Sequence, residues 1–202
     1  MPLDPSLQQA LIERYRARFR EHHDSPEGVQ YTDGEGQRFR FEQLIRVAPL
    51  AGRKILDVGC GLGHLYPFLQ QEFGPLDYTG VDIVPETVAH AAKKFPDGRF
   101  ICRDLLQAPL AERFDYVLIC GVFNNTMPDA TEFLKELVAV AFDHCTAGLA
   151  FNFISTSVNY RDADLAYHDP LDVLAFCLER LTPRVMMHHH YARCDVSVFA
   201  YR

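Results

Sequence analysis

The sequence predicts an α/β fold: a doubly wound, mostly parallel seven-stranded sheet with helices on both faces, an antiparallel terminal strand and an N-terminal helical cover. Three observations predict it. From Lys54 onward, short apolar runs alternate with helical patterns, the rhythm of strand–helix–strand units with parallel strands. Phe114 to Cys120 is almost wholly apolar, as befits a strand buried on both faces. The last two strand patterns, Arg184–Tyr191 and Asp195–Tyr201, are joined by too few residues for a parallel crossover, so they should pair antiparallel.

Leu3 to Glu21 places Leu7, Leu11, Ile12, Tyr15 and Phe19 at helical spacing. His22 to Gly36 is rich in Gly, Asp and Pro and reads as loop. A second helix covers Gln37 to Val47, and Pro49 with Gly52 ends it. Ile55–Val58 is the first strand, followed by a helix over His64–Phe73. Tyr78–Ile83 is the second strand. Pro85 then starts a helix running to about Phe95, proline suiting a first helical position because it has no amide hydrogen to leave unpaired. Arg99–Arg103 and Phe114–Cys120 are the third and fourth strands. A helix over Asp129–Phe142, a strand over Gly148–Ile154 and a helix over Pro170–Leu181 precede the closing pair. No repeat or long linker divides the chain. Residues 1–50 read as a cover belonging to the same domain as the core at 51–202.

The 202 residues suit one such domain, with hydrophobic residues at 48% and charged residues at 23%. A net charge of -7 argues against broad nucleic-acid binding, which needs a cationic footprint. Arg14, Arg16, Arg18 and Arg20 alternate along a helix and form no coherent phosphate-binding stripe. No apolar run approaches the roughly 20 residues of a membrane span. The N-terminal helix, interrupted by Glu13 and its arginines, is no signal peptide. The six cysteines are scattered without a C-x-x-C pair, so no zinc or redox motif is implied. Reduced, mostly structural thiols and a cytoplasmic location are the expectation.

The chemistry concentrates in Ile55-Leu56-Asp57-Val58-Gly59-Cys60-Gly61-Leu62-Gly63-His64. An apolar strand runs into alternating glycines and then a helix start. Glycine tolerates positive φ and lets a ligand approach the backbone, and the free amides of a helix start favour an anionic group. A dinucleotide site would need G-x-G-x-x-G, and His64 stands where the last glycine should be.

This segment resembles the first motif of the class I S-adenosylmethionine-dependent methyltransferases, a Rossmann-like family with an acidic residue followed by G-x-G-x-G. The resemblance puts the methionine part of the cofactor against Gly59, Cys60, Gly61 and Gly63, with Asp57 fixing the site. It implies that Asp82, at the tip of the second strand, binds the ribose hydroxyls, with Ile83 against adenine. It places Asp104 on the adenine amino group and the Leu105 amide on the ring. Phe114-Asp115-Tyr116-Val117 matches the family's fourth motif, which brings Cys120 and Asn124 to the cofactor edge. The elements Gln37-Arg38-Phe39-Arg40-Phe41 and Phe151-Asn152-Phe153-Ile154-Ser155-Thr156 look like a bacterial subgroup of unassigned substrate. In it Arg40 could hold the cofactor carboxylate as a bidentate fork, and Gln37 shares its helical face. A surface salt bridge is the competing role for Arg40.

Ser155 to Pro170 is long for a connection, a property of lids and binding loops. Within it Tyr160 and His168 are candidates to contact or deprotonate an acceptor; either could equally be a satisfied loop residue. His188 and His190 would share one face of a strand, but without a third ligand they imply no metal. The reading is methyl transfer from S-adenosylmethionine, leaving S-adenosylhomocysteine, to a small-molecule acceptor. Binding without transfer and nicotinamide-dependent redox chemistry are the alternatives. The missing N/D-P-P-Y signature after the fourth strand, where Asn124-Asn125-Thr126-Met127 stands, leaves the acceptor atom open, and the oligomeric state is open too.

Overall fold

The computed structural model describes residues 4–189 and 194–202. Seven strands form one sheet: β1 (Lys54–Val58), β2 (Asp77–Asp82), β3 (Arg99–Cys102), β4 (Phe114–Ile119), β5 (Cys145–Ile154), β6 (Val185–His188) and β7 (Asp195–Tyr201). Their order is β3-β2-β1-β4-β5-β7-β6. β7 runs antiparallel to β5 and β6, and the other pairings are parallel. The chain leaves β1 towards β2 and β3, then crosses back to β4 on the other side. That reversal opens a crevice at the carboxyl ends of β1 and β4, where open α/β sheets bind ligands.

Alternation along each strand feeds two cores. Leu56, Val117, Ile119, Leu149 and Phe151 pack with Leu134, Val138 and Phe142 of α5 (Ala130–His144). Ile55, Leu118, Ala150 and Phe199 point the other way, on to Phe41 and Leu44 of α2 (Gly34–Leu44) and Leu65 and Leu69 of α3 (Leu65–Phe73). Successive strand side chains face opposite sides, so the nearly unbroken apolar run of β4 supplies both layers.

The N-terminal cover consists of α1 (Pro5–His22), a 3-10 turn over Pro26–Val29 and α2. Asp4 caps α1 by accepting from the Ser6 amide at 2.9 Å. α2 starts at Gly34, three residues earlier than the periodicity suggests. Asp33 caps it, its carboxylate accepting from the Gly36 amide at 2.5 Å, which offsets the poor helix propensity of the two glycines. α4 (Pro85–Lys94) begins at its proline, as expected. The helix expected over Pro170–Leu181 is α6 (Pro170–Phe176) closed by a wider π-helical turn over Cys177–Leu181. β5 begins at Cys145 rather than Gly148, ahead of the apolar stretch. β6 ends at His188, and the part of that expected strand at His190 and Tyr191 lies outside the described residues. Among the described residues no helix is long and apolar enough to cross a membrane.

One ion pair ties the cover to the far side of the sheet. Arg40 of α2 reaches the first residue of β7, its Nη2 and Nε at 2.8 and 3.0 Å from the fully buried carboxylate of Asp195. Removing one partner strands a charge in the interior, which typically costs about 3–5 kcal/mol. Arg40→Gln should therefore lower stability by about that amount in chemical denaturation. A loss below about 1 kcal/mol would mean the pair is solvated and does not hold the cover.

Candidate functional site

The site lies at the tips of four neighbouring parallel strands. Gly59 and Cys60 leave β1 with their amides donated to the Val81 carbonyl of β2, at 2.8 and 3.1 Å. Gly59, Gly61 and Gly63 all have positive φ. A Cβ at Gly59 would run into Val122, and one at Gly63 would press on Phe100 and Ala91. The glycines are thus required by packing as well as by conformation. Asp82, ending β2, accepts from the Gly61 amide at 2.8 Å through one carboxylate oxygen and from the Val84 amide at 3.0 Å through the other.

One cleft brings most of the sequence-derived residues together. Asp57, Gly59, Cys60, Gly61, Asp82, Ile83, Asp104, Leu105, Cys120 and Gln37 all line it. Gly63 does not; its amide donates to the Cys60 carbonyl at 2.8 Å and closes the turn from behind. Asn124 lies in a 3-10 turn after β4 and also stays off the lining. Its neighbour Asn125 takes that place, buried, donating to the Tyr15 hydroxyl at 2.6 Å and accepting from Arg14 at 3.2 Å. Arg40 is spent on Asp195 and does not line the cleft.

Tyr160 and His168 are not brought to the cleft either. Tyr160 is 76% exposed. His168 is buried, its Nε2 3.0 Å from the Phe123 carbonyl and its Nδ1 3.0 Å from the Thr131 hydroxyl. Nε2 therefore donates and Nδ1 accepts, which defines a neutral tautomer with no free nitrogen. Burial lowers its pKa against the opposing pull of the Phe123 bond. The His168 backbone pairs with Ile154 and Thr156, so this histidine pins the 155–170 loop to the end of β5. Asp115 sits at the opposite end of the sheet, accepting from the Lys54 amide at 2.9 Å.

The cover supplies residues that sequence patterning did not assign to the site. Leu11, Tyr15, Val29 and Tyr31 line the cleft from above. The Tyr31 hydroxyl lies 3.4 Å from the Cys120 sulfur, and Arg40 stacks over its ring at 5.5 Å. Gln8 of α1 donates to Asp104 at 2.7 Å. Asp24, between α1 and the 3-10 turn, lies 2.8 Å from His64 Nε2, 3.1 Å from His90 Nε2 and 2.6 Å from Lys94 Nζ. Burial alone would raise the Asp24 pKa, but its bonds to Lys94, His64 and His90 hold it well below the usual range.

The floor of the cleft carries the carboxyls of Asp57 and Asp82. Burial raises the pKa of Asp57 to about 7 despite the 2.6 Å bond from the Tyr78 hydroxyl. Burial raises Asp82 as well, against its backbone hydrogen bonds. Among the described residues, neither carboxylate has a lysine, arginine or histidine ion-paired to it. A ligand carrying a sulfonium and an ammonium fits such a floor.

A model described as a methyltransferase domain matches residues 55–143. The Mycobacterium tuberculosis protein Rv1506c, which carries a methyltransferase name, is 31% identical over 154 residues, covering 71% of this chain and 90% of that protein. The chain belongs to the class I S-adenosylmethionine-dependent methyltransferases. S-adenosylmethionine as cofactor and transfer of its methyl group follow from that membership. The trans-aconitate 2-methyltransferase of Rhodopseudomonas palustris is 30% identical over 112 residues, 54% of this chain and 43% of that enzyme. In fold, the chain superposes on magnesium protoporphyrin IX methyltransferase from Synechocystis PCC 6803 with a TM-score of 0.71, at 17% identity and full coverage of both chains. The N-methyltransferase NodS from Bradyrhizobium japonicum superposes at 0.66, with 20% identity over 93% of this chain and 97% of NodS. Neither binding without transfer nor nicotinamide chemistry draws support from these relatives.

Asp57 makes the methyltransferase's stability depend on pH. The folded chain keeps a proton at Asp57 up to about pH 7, whereas the unfolded chain releases it near 3.9. The folded state thus binds more protons in that window, and stability falls as pH rises from about 4 to about 7, then levels. Asp57→Asn should flatten this decline in thermal unfolding of the free protein. Wild-type and variant curves running parallel from pH 4 to 8 would contradict the shifted carboxyl.

Proposed function

We propose that this methyltransferase acts on a small-molecule acceptor that enters beneath the N-terminal cover, with the cofactor laid across the tips of β3, β2, β1 and β4. The observation that carries this reading is the single cleft in which Asp104, Ile83, Asp82, Gly61, Gly59 and Cys120 follow one another across the sheet. Asp82 would take the ribose hydroxyls, and Asp104 with the Leu105 amide the adenine edge. The donor set fits the cofactor, because a buried Asp57 and a half-buried Asp82, neither ion-paired among the described residues, suit its positive charges. When bound, S-adenosylmethionine supplies an electrophilic methyl group on sulfur.

The chain's own residues then position and exclude water. The cover lays Leu11, Tyr15, Val29 and Tyr31 across the cleft, and such roofing favours a compact acceptor over a polymer. Together with a net charge of -7 it speaks against nucleic acid. At the β4 end Tyr31 and Cys120 meet beside Asn125. Burial holds the Tyr31 hydroxyl well above its ordinary pKa and pushes the Cys120 thiol up to about 12. Both stay protonated at neutral pH, so neither removes a proton. An acceptor that arrives with its lone pair available, as a carboxylate or an unprotonated amine does, suits such surroundings. Rate acceleration then comes from alignment, which can contribute on the order of 7–11 kcal/mol.

Calorimetric titration with S-adenosylmethionine and S-adenosylhomocysteine tests the placement. Both should bind, and Asp82→Ala should weaken both by roughly tenfold or more, the loss expected for charged hydrogen bonds. Folded wild-type protein that binds neither ligand would refute it, as would unchanged affinity in Asp82→Ala.

A further inference from the structure

We propose that Gln37 holds the carboxylate at the amino-acid end of the cofactor, with His64 and Asp24 behind it as positioning residues. The inference rests on the cofactor placement above. With ribose on Asp82 at the tip of β2 and adenine on Asp104 beyond β3, the rest of the molecule must extend the other way, along Gly59–Gly61 towards β1 and β4. The same cleft is lined by His64, the residue directly after the glycine turn, and by Gln37, which is hydrogen-bonded to it. Arg40, one helical turn from Gln37, is turned to Asp195 and leaves this place to the amide.

A chain of hydrogen bonds fixes which end of that amide is presented. The Asp24 carboxylate is an acceptor, and its Oδ1 lies 2.8 Å from His64 Nε2, so Nε2 carries the proton. His64 Nδ1, 3.2 Å from Gln37 Nε2, is then the acceptor for the amide. Gln37 Nε2 keeps a second N–H for the ligand. An amide free to rotate by half a turn could present its oxygen, which repels a carboxylate. The His64–Asp24 relay removes that freedom, and Lys94 fixes Asp24 in turn. Gln37 is itself 7% exposed, so a misdirected oxygen would not be rescued by bulk water.

The test compares S-adenosylmethionine with its decarboxylated form by calorimetry on the purified full chain. Wild type should prefer the carboxylated ligand by roughly tenfold or more. Gln37→Glu, nearly isosteric, should abolish that preference while leaving affinity for the decarboxylated form undiminished, which also certifies the variant's fold. His64→Ala should shrink the preference several-fold in the same selective way, which a merely structural histidine would not do. Equal wild-type affinity for the two ligands would overturn the assignment but leave the cofactor placement standing. A preference that survives in Gln37→Glu would overturn it too. Failure of wild type to bind either ligand would instead remove the placement, and this inference with it.

Discussion

The site depends on the bonding of one side chain, Asp82. Its two carboxylate oxygens accept from Gly61 on one side and Val84 on the other. They lock the glycine turn after β1 to the tip of β2 and set the start of α4. The carboxylate is half-buried at the strand tip, it has no cationic partner among the described residues, and loss of water around it raises its pKa. A charged acid at such a place is costly to keep, and its backbone bonds offset only part of that cost. The remainder is stabilisation that a cationic ligand can supply. The same group therefore shapes the loop and favours the ligand's charge.

Around that point the fold works as a frame with a strap. The parallel strands β3, β2, β1 and β4 hold their tips in a row, and the reversal between β1 and β4 leaves the crevice open. The cover closes it through polar contacts at separate places. Asp24 meets His64, just before α3, and α4, Gln8 meets Asp104, Asn125 meets Tyr15, and Arg40 meets Asp195. α1 has no fully buried residue, so these bonds rather than a packed core hold it down. Elements held in this way open more easily than the sheet beneath them, which suits a cover that must admit cofactor and acceptor.

Much of the frame was legible in the sequence because strand alternation and glycine punctuation are local signals. Ile55 to Val58 followed by Gly59, Gly61 and Gly63 identifies strand, turn and helix start from ten residues. Asp82 and Asp104 follow from their places at strand tips. The cover's contribution was not legible. Tyr31, Asp24 and Gln8 act through partners 89, 40 and 96 positions away, and no periodicity reports such pairings. His64 drew notice only as the residue that breaks a dinucleotide pattern. Conversely, Tyr160 and His168 looked chemical because their loop is long and polar. The structure uses His168 to satisfy Phe123 and Thr131 within that loop.

The most direct test of this account is a crystal structure of the full chain grown with S-adenosylhomocysteine. The account predicts adenosine bound at Asp82 and Asp104, the amino-acid end beside Gly59–Gly61 and Gln37, and an intact Arg40–Asp195 pair. Ligand density on another face of the sheet, or Arg40 swung from Asp195 on to the ligand carboxylate, would contradict it.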